Sequence, residues 1–487
     1  MTKRVKIRQL ETNVPGLDAI LGGGFPEFSF NLIAGAPGSG KTTLAHQIMF
    51  GMCGPDRSGL YFTVVGEPPL KMLRYQQQYS FFDIDRVDAS IRFVNLGQEI
   101  VEGSLATVLA RIIQEVEASN PSFVVVDSFR TMANPAERAA LAEVDLQRFV
   151  QQLAIRLTGW EATTFLVGEY DLGETVHNPV FTVADGVLWL DQSVERNSVV
   201  RKMQVVKMRG QAPSPGLHTY RITGDGVEIF PRVVIGPAEK ATAVTSTKRL
   251  SVGVPKVDEM LGGGIPPGFS LLLAGPSGSG KSVLATQFIM EGVRQGEPTI
   301  VAVFEKRPSI YSDSSPGGDD FQQMVRKGEV TIVQMRPLDL SIDETLHEIV
   351  AEIDRRKATR LVIDSLSGFE LALAPTFRHE FRESLYRMVA VLTGKGITVV
   401  MTAELEDSYA DLRFSPHGTA FLTDAIIVQR YVEIGGRLQP IMTVVKVRGS
   451  AHSRDFYEFG ITDEGIVIGE PLAGFEGLLT GSPSRVS

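Results

Sequence analysis

The sequence predicts the α/β class: two tandem domains of one plan, each a mainly parallel central sheet flanked by helices. Three observations predict it. A long set of motifs recurs in the same order in both halves. Short apolar runs alternate with amphipathic stretches, the signature of buried parallel strands covered by helices. In each half an early apolar run enters a Gly-rich turn that opens a helical stretch.

The repeat fixes the domain plan. "VPGLDAILGGGFPEFSFNLIAGAPGSGKTTLAHQIMF" starts at Val14, and "VPKVDEMLGGGIPPGFSLLLAGPSGSGKSVLATQFIM" starts at Val254. Gly22 and Gly262 are 240 positions apart, as are Lys41 and Lys281. Further on, "FVVVDSF" (123–129) matches "RLVIDSL" (360–366), "VVKMRG" (205–210) matches "VVKVRG" (444–449), and "YRITGDGVEI" (220–229) matches "FGITDEGIVI" (459–468). A period of domain size excludes a short-repeat solenoid. The expected division is a first domain over 1–235, a polar Thr/Ser-rich linker over 236–249, a second domain over 250–470 and a Gly/Ser-rich, loosely attached tail over 471–487.

Within each half the elements follow in order. "FNLIAG" and "LLLAG" are the strands that enter the Gly-rich turns, and "TTLAHQIMFGM" and "SVLATQFIMEGV" are the helices that leave them. "GLYFTVV" and "TIVAVF" are the next buried strands. "SLATVLARIIQEVEAS" and "TLHEIVAEIDRRK" have helical spacing and precede the strands "SFVVVD" and "RLVID". "TTFLVGE" and "ITVVMTAE" supply further strands.

Composition narrows the function classes. The 487 residues suffice for two or three real cores. A net charge of −9 argues against a nucleic-acid-coating surface. The single cysteine, Cys53, excludes an intrachain disulfide framework and suits a reducing cytoplasm, where it reads as a small buried hydrophobe. The basic N-terminus has no apolar segment behind it, so it does not read as a secretory signal. No apolar run reaches the roughly 18 residues of a membrane span, so a soluble product is expected.

"GAPGSGKT" (35–42) and "GPSGSGKS" (275–282) both fit G-x4-G-K-[ST]. The glycines, Gly35, Gly38 and Gly40 in one half and Gly275, Gly278 and Gly280 in the other, let consecutive backbone N–H groups wrap phosphate oxygens. Ser39 and Ser279 complete the two loops. Lys41 and Lys281 reach the terminal phosphates, and Thr42 and Ser282 are candidate Mg²⁺ ligands. Thr43 and Val283 follow in the first helical turn, whose N-terminus favours an anion. A Gly-rich turn beside a surface lysine is the plainer reading of one such match. Two matches, each between a predicted strand and helix, favour nucleotide binding.

Asp127 and Asp364 each end an apolar strand, where an acid steadies Mg²⁺. Hydrolysis also needs a group to orient or deprotonate water. Glu67 in "VVGEPP" and Glu305 in "VFEKRP" are the candidate catalytic carboxylates, and Glu305 is also a candidate metal-site acid. Glu169 and Glu404, at the end of a later strand, are secondary candidates. Lys207 and Arg209 in "KMRG", like Lys446 and Arg448 in "KVRG", are two apart and share one side of an extended strand. They read either as a basic edge that discourages aggregation or as groups reaching a neighbouring subunit's triphosphate, which implies a head-to-tail ring.

With these motifs assembled, the chain resembles the KaiC family of two-domain circadian clock ATPases and autokinases in the RecA superfamily. The resemblance extends to "LTDAIIVQRYVEIGG" and the closing "FEGLLTGSPSRVS". It implies tandem RecA-like P-loop domains in a homohexameric double ring, with ATP and Mg²⁺ between subunits. It also implies slow hydrolysis in the first half and Ser/Thr autophosphorylation in the second. By motif position, Lys207, Met208 and Arg209, and Lys446, Val447 and Arg448, would adjoin the neighbouring subunit's ATP. The chain departs from the family in three places. Matching Pro69 to Pro308 sets Gly66–Glu67 and Glu305–Lys306 where the family has a Glu-Glu pair, so each half would keep one acid. Counted back without a gap, the family's Ser-Thr acceptors fall on Ala420 and Phe421, whereas a one-residue gap sets Thr419 near the serine position; Thr419 and Thr423 are the nearby hydroxyls for phosphorylation. The sequence also stops where the family continues into a segment used by an activator, so a KaiA-like partner is doubtful, whereas a KaiB-like partner remains compatible. Competing readings are a nucleotide-gated scaffold without kinase activity and, against the charge, a DNA motor.

Overall fold

The computed structural model describes residues 7–63, 69–102, 105–127, 140–171, 178–195, 198–233, 248–304, 318–335, 341–373, 377, 381–405, 422–478 and 483–485. The chain forms two compact units, Met1–Arg232 and Val233–Ser487.

In the first unit, β1 (Gln9–Leu10) pairs with β2 (Phe25–Pro26). The main sheet holds β3 (Phe30–Gly35), β4 (Gly59–Thr63), β5 (Ile91–Asn95), β6 (Phe123–Asp127), β7 (Thr163–Glu169), β8 (Gly186–Glu195), β9 (Ser198–Met208), β10 (His218–Thr223) and β11 (Gly226–Phe230). Its order is β11-β10-β9-β8-β3-β7-β6-β4-β5. From β8 to β5 the neighbours run parallel, and β9, β10 and β11 extend the sheet antiparallel. The continuous apolar runs follow from burial on both faces. Leu32 and Ala34 of β3 join one core cluster while Ile33 joins the other, because successive side chains alternate across the sheet.

The second unit repeats the plan with β12 (Ser270–Gly275), β13 (Thr299–Val303), β14 (Val330–Gln334), β15 (Arg360–Asp364), β16 (Thr398–Glu404), β17 (Ala425–Ile434), β18 (Arg437–Val447), β19 (Tyr457–Thr462) and β20 (Gly465–Pro471). The order is β14-β13-β15-β16-β12-β17-β18-β19-β20, parallel as far as β17 and antiparallel beyond it. The predicted helices form at Leu105–Ser119 and Ile342–Arg356. The second is capped by Ser341, whose side chain accepts from Glu344 N, with acids in its first turn and Arg355 and Arg356 in its last. Both placements suit the helix dipole.

In the segment after 470, β21 (Phe475–Glu476) pairs with β22 (Ser484–Arg485), and the Arg485 guanidinium lies over the Phe475 ring. Leu478, 4% exposed, packs with Val432 and Ile441 on the antiparallel extension.

Candidate nucleotide sites

Each Gly-rich turn joins a fully buried strand to a helix: β3 to Lys41–Met52, and β12 to Lys281–Arg294. The turn requires glycine, because Gly38 and Gly40 have φ of 76° and 91°, and Gly278 and Gly280 have 77° and 91°. Gly40 and Gly280 precede the helices without any side-chain cap, so the first N–H groups face the loop. Lys41 Nζ donates to Ala36 O at 2.8 Å, and Lys281 Nζ donates to Gly275 O at 2.9 Å and Pro276 O at 2.7 Å. Both ammonium groups thus fold back over their own loops. Burial lowers the Lys41 pKa, against the opposing pull of Glu169 and Asp127. Tyr220 Oη donates to Ser39 O at 2.6 Å, and Tyr431 Oη to Gly278 O at 2.9 Å, bracing each loop from the antiparallel side of the sheet. Ser279 Oγ donates to Gln429 at 3.1 Å. Thr43 and Val283 are half-buried in the first turn.

The predicted acids stand beside these loops. Asp127 accepts a hydrogen bond at 2.7 Å from Tyr61 Oη, and the Thr42 hydroxyl is its neighbour on the loop helix. Burial raises the Asp127 pKa, while Tyr61, Thr42 and Lys41 hold it down. A threonine hydroxyl neighbouring a carboxylate at a phosphate-shaped loop fits Mg²⁺, which takes one or two protein oxygens and leaves the rest to phosphates and water. No cluster of three or more His, Cys, Asp or Glu side chains arises among the described residues, and that chemistry needs none. In the second unit the Thr402 hydroxyl donates to Asp364. Ser282 is half-buried at the helix start. Glu169 stands 4.0 Å from Lys41 Nζ, so the structure brings this secondary candidate to the first loop. Glu404 ends β16 in the matching place and is exposed.

Glu67 and Glu305 lie outside the described residues; the strand registers that precede them offer one frame for comparing the halves. Thr63 pairs with Asp127 and Val303 pairs with Asp364, which preserves the 240-residue spacing of the two lysines. Counted on without a gap, Pro68 matches Pro308, Val65 matches Glu305, and Glu67 matches Arg307. This ungapped frame differs by one residue from the match through Pro69, and in either frame Glu67 and Glu305 fall at different positions.

The basic pairs share a side as the spacing predicts. Lys207 Nζ donates to Phe181 O at 3.2 Å and Thr182 O at 3.0 Å, and Arg209 contacts Thr182 O at 3.5 Å and Asp185 at 3.0 Å. Lys446 Nζ donates to Thr423 O at 2.6 Å, and Arg448 donates to Asp424 at 3.1 Å. Met208 and Val447 between them are buried. Partial burial and the adjacent arginine lower the pKa of both lysines, against the pull of Asp185 or Asp424. Thr419 lies outside the described residues, and Thr423 is 1% exposed.

Sequence reasoning missed Tyr61, His46 and Thr402. His46, on the helix after the first loop, stacks on the Tyr61 ring at 4.2 Å between centroids, and its Nδ1 lies 2.8 Å from Thr42 O. The available signal was a phenol, an imidazole and a hydroxyl in otherwise apolar elements.

Two P-loops at the C-terminal ends of the central parallel strands, each beside a strand-end acid, define a tandem P-loop ATPase of RecA-like fold. The family model described as "ATPase: KaiC" matches residues 10–234 and again 250–473. The chain belongs to that family. It is 30% identical over 492 residues to the circadian clock oscillator protein KaiC of Rippkaea orientalis, covering 99% of this chain and 92% of the relative. It is also 30% identical over 495 residues to KaiC 1 of Synechocystis, and 28% identical over 490 residues to KaiC of Synechococcus elongatus, covering 99% of this chain and 93% of each relative. No helix among the described residues is long and apolar enough to cross a membrane.

Proposed function

We propose that this ATPase binds Mg²⁺–ATP in both halves and works as a homohexameric double ring in cytoplasmic timing or stress signalling. The observation that carries the reading is the duplicated arrangement itself: loop, helix start and strand-end acid recur together in both units. Lys41 and Lys281 bind the terminal phosphates. Thr42 with Asp127, and Ser282 with Asp364, hold the metal, which when bound neutralises phosphate charge. Glu305 is the general base of the second half, for water or for a hydroxyl. Lys207 with Arg209, and Lys446 with Arg448, leave their own-unit acids and carbonyls to reach a neighbour's nucleotide. Glu305→Gln is expected to lower second-domain turnover sharply while ATP binding persists; unchanged turnover would remove Glu305 from this role.

The second domain is also the place for Ser/Thr autophosphorylation, with Thr419 as the acceptor. Thr423 is the weaker choice because its side chain is buried and its carbonyl holds Lys446. Phosphosite mapping after ATP incubation tests this, and no phosphate on any hydroxyl near 419 would end the kinase reading. A second reading is favoured by Ala420 and Phe421, which an ungapped match sets at the family's acceptor positions, together with that burial. Here ATP closes the ring and exposes a surface for a KaiB-like protein, with hydrolysis as the timer and no kinase step. Partner binding indifferent to ATP versus ADP would refute it.

A further inference from the structure

The strand-end acids are held differently in the two halves. In the first unit the partner is Tyr61 on β4, one strand to one side of Asp127, whose hydroxyl reaches Asp127 at 2.7 Å. In the second it is Thr402 on β16, one strand to the other side of Asp364. The registers make the exchange reciprocal. Val301 occupies the second unit's Tyr61 position, and Val167, which pairs with Asp127, occupies the first unit's Thr402 position. Each acid thus has one hydroxyl neighbour where its counterpart has a valine.

We propose that Tyr61 and Thr402 are positioning residues that aim the Asp127 and Asp364 carboxylates at the metal–nucleotide site, each serving its own half alone. The inference rests on the reading of those acids as metal-site groups. One carboxylate oxygen is engaged by the phenol, which fixes the carboxylate plane and leaves the group directed at Thr42. The first half adds a brace. The Tyr61 ring lies against His46, and His46 with its proton on Nδ1 donates to Thr42 O, the backbone of a residue whose hydroxyl neighbours Asp127. Asp127, Tyr61, His46 and Thr42 therefore close a ring of contacts that ties strand-end acid to loop helix. The second half has Thr286 where His46 stands, and among the described residues Thr286 bonds back along its own helix, to Ser282 O at 2.9 Å. A hydrogen bond to a charged acceptor is worth enough to orient it, and losing it changes affinity by roughly tenfold at the lower end of its range.

The test uses the full chain with one loop silenced. Lys281→Ala isolates the first site and Lys41→Ala the second. Each is titrated with Mg²⁺ while retention of a fluorescent ATP analogue is followed, with EDTA as the metal-free arm. In the first-site background, Tyr61→Phe is expected to raise the half-saturating Mg²⁺ about tenfold, with metal-free binding unchanged, while Thr402→Val has no effect. In the second-site background the two exchange roles, and Thr402→Ser, which keeps the hydroxyl, restores the parent value. Asp127→Asn runs alongside. If it leaves Mg²⁺ dependence untouched, the metal-site reading itself fails. If Asp127→Asn acts but Tyr61→Phe stays within about twofold of its parent, or if either hydroxyl variant affects both sites equally, the positioning roles are overturned.

Discussion

Replacing Arg360 with alanine should unsettle the second unit more than any surface change. Arg360 opens β15, the strand that ends in Asp364, and it is 0% exposed. Its Nε donates to Glu297 at 2.7 Å, and its Nη1 donates to Ser251 O at 3.0 Å and Phe288 O at 3.1 Å. The guanidinium also lies 4.6 Å from the Phe288 ring centroid, so the strand is tied to the helix that follows the second loop. Removing one partner of a buried ion pair costs about 3–5 kcal/mol, because the other charge is left behind. Among the described residues Glu297 would keep Lys248, 3.6 Å away and largely exposed, which compensates little. For a unit of this size, that loss lowers the melting temperature by roughly 10 °C. Differential scanning calorimetry of the intact chain, with and without Arg360→Ala, measures it. The double variant Arg360→Met with Glu297→Leu should recover most of the loss, since a buried pair is matched by well-packed apolar residues. A single-variant loss under about 1 kcal/mol, or a double variant no better than the single, would refute the reasoning.

Three further outcomes follow from the same structure. Burial depresses the His46 pKa to about 4 from 6.5, so His46 folds as the neutral imidazole. Its contribution is present above pH 6.5 and lost as pH falls towards 4, amounting to about 3 kcal/mol; His46→Phe should flatten that part of the stability–pH curve, and an unchanged curve would contradict the assignment. Burial pushes the Cys53 thiol up to about 12, and it is 5% exposed, so alkylation at pH 8 should require unfolding, with rapid labelling of native protein as the contrary result. The Arg448–Asp424 pair is at the surface, so Arg448→Ala should cost under about 1 kcal/mol of stability; if Arg448 reaches a neighbour's nucleotide, turnover should still fall, towards the roughly 10³-fold loss of an arginine finger, and unchanged turnover would leave it an ordinary ion pair.

The loops, the strands that enter them and the acids that flank them were legible because each is dictated locally. A phosphate cradle needs glycines at fixed offsets, and a buried parallel strand needs an unbroken apolar run. The antiparallel extension and the packing of Leu478 were less legible, since they depend on which distant strand offers an apolar surface. Tyr61 and Thr402 escaped notice because a hydroxyl crossing to a neighbouring strand leaves no spacing signature; only the registers reveal that a valine faces the same acid in the other half. Around Glu67 the adjacent prolines Pro68 and Pro69 leave two frames open, and the registers end before them at Thr63 and Val303.

The account rests on two working nucleotide sites in one chain, and the most direct measurement is the stoichiometry of bound ATP in the presence of Mg²⁺, taken with the hydrolysis rate of the same samples. Two ATP per chain are predicted, falling to one in Lys41→Ala and in Lys281→Ala, and to none, with hydrolysis abolished, when both lysines are replaced. Undiminished binding and hydrolysis in the double variant would contradict it.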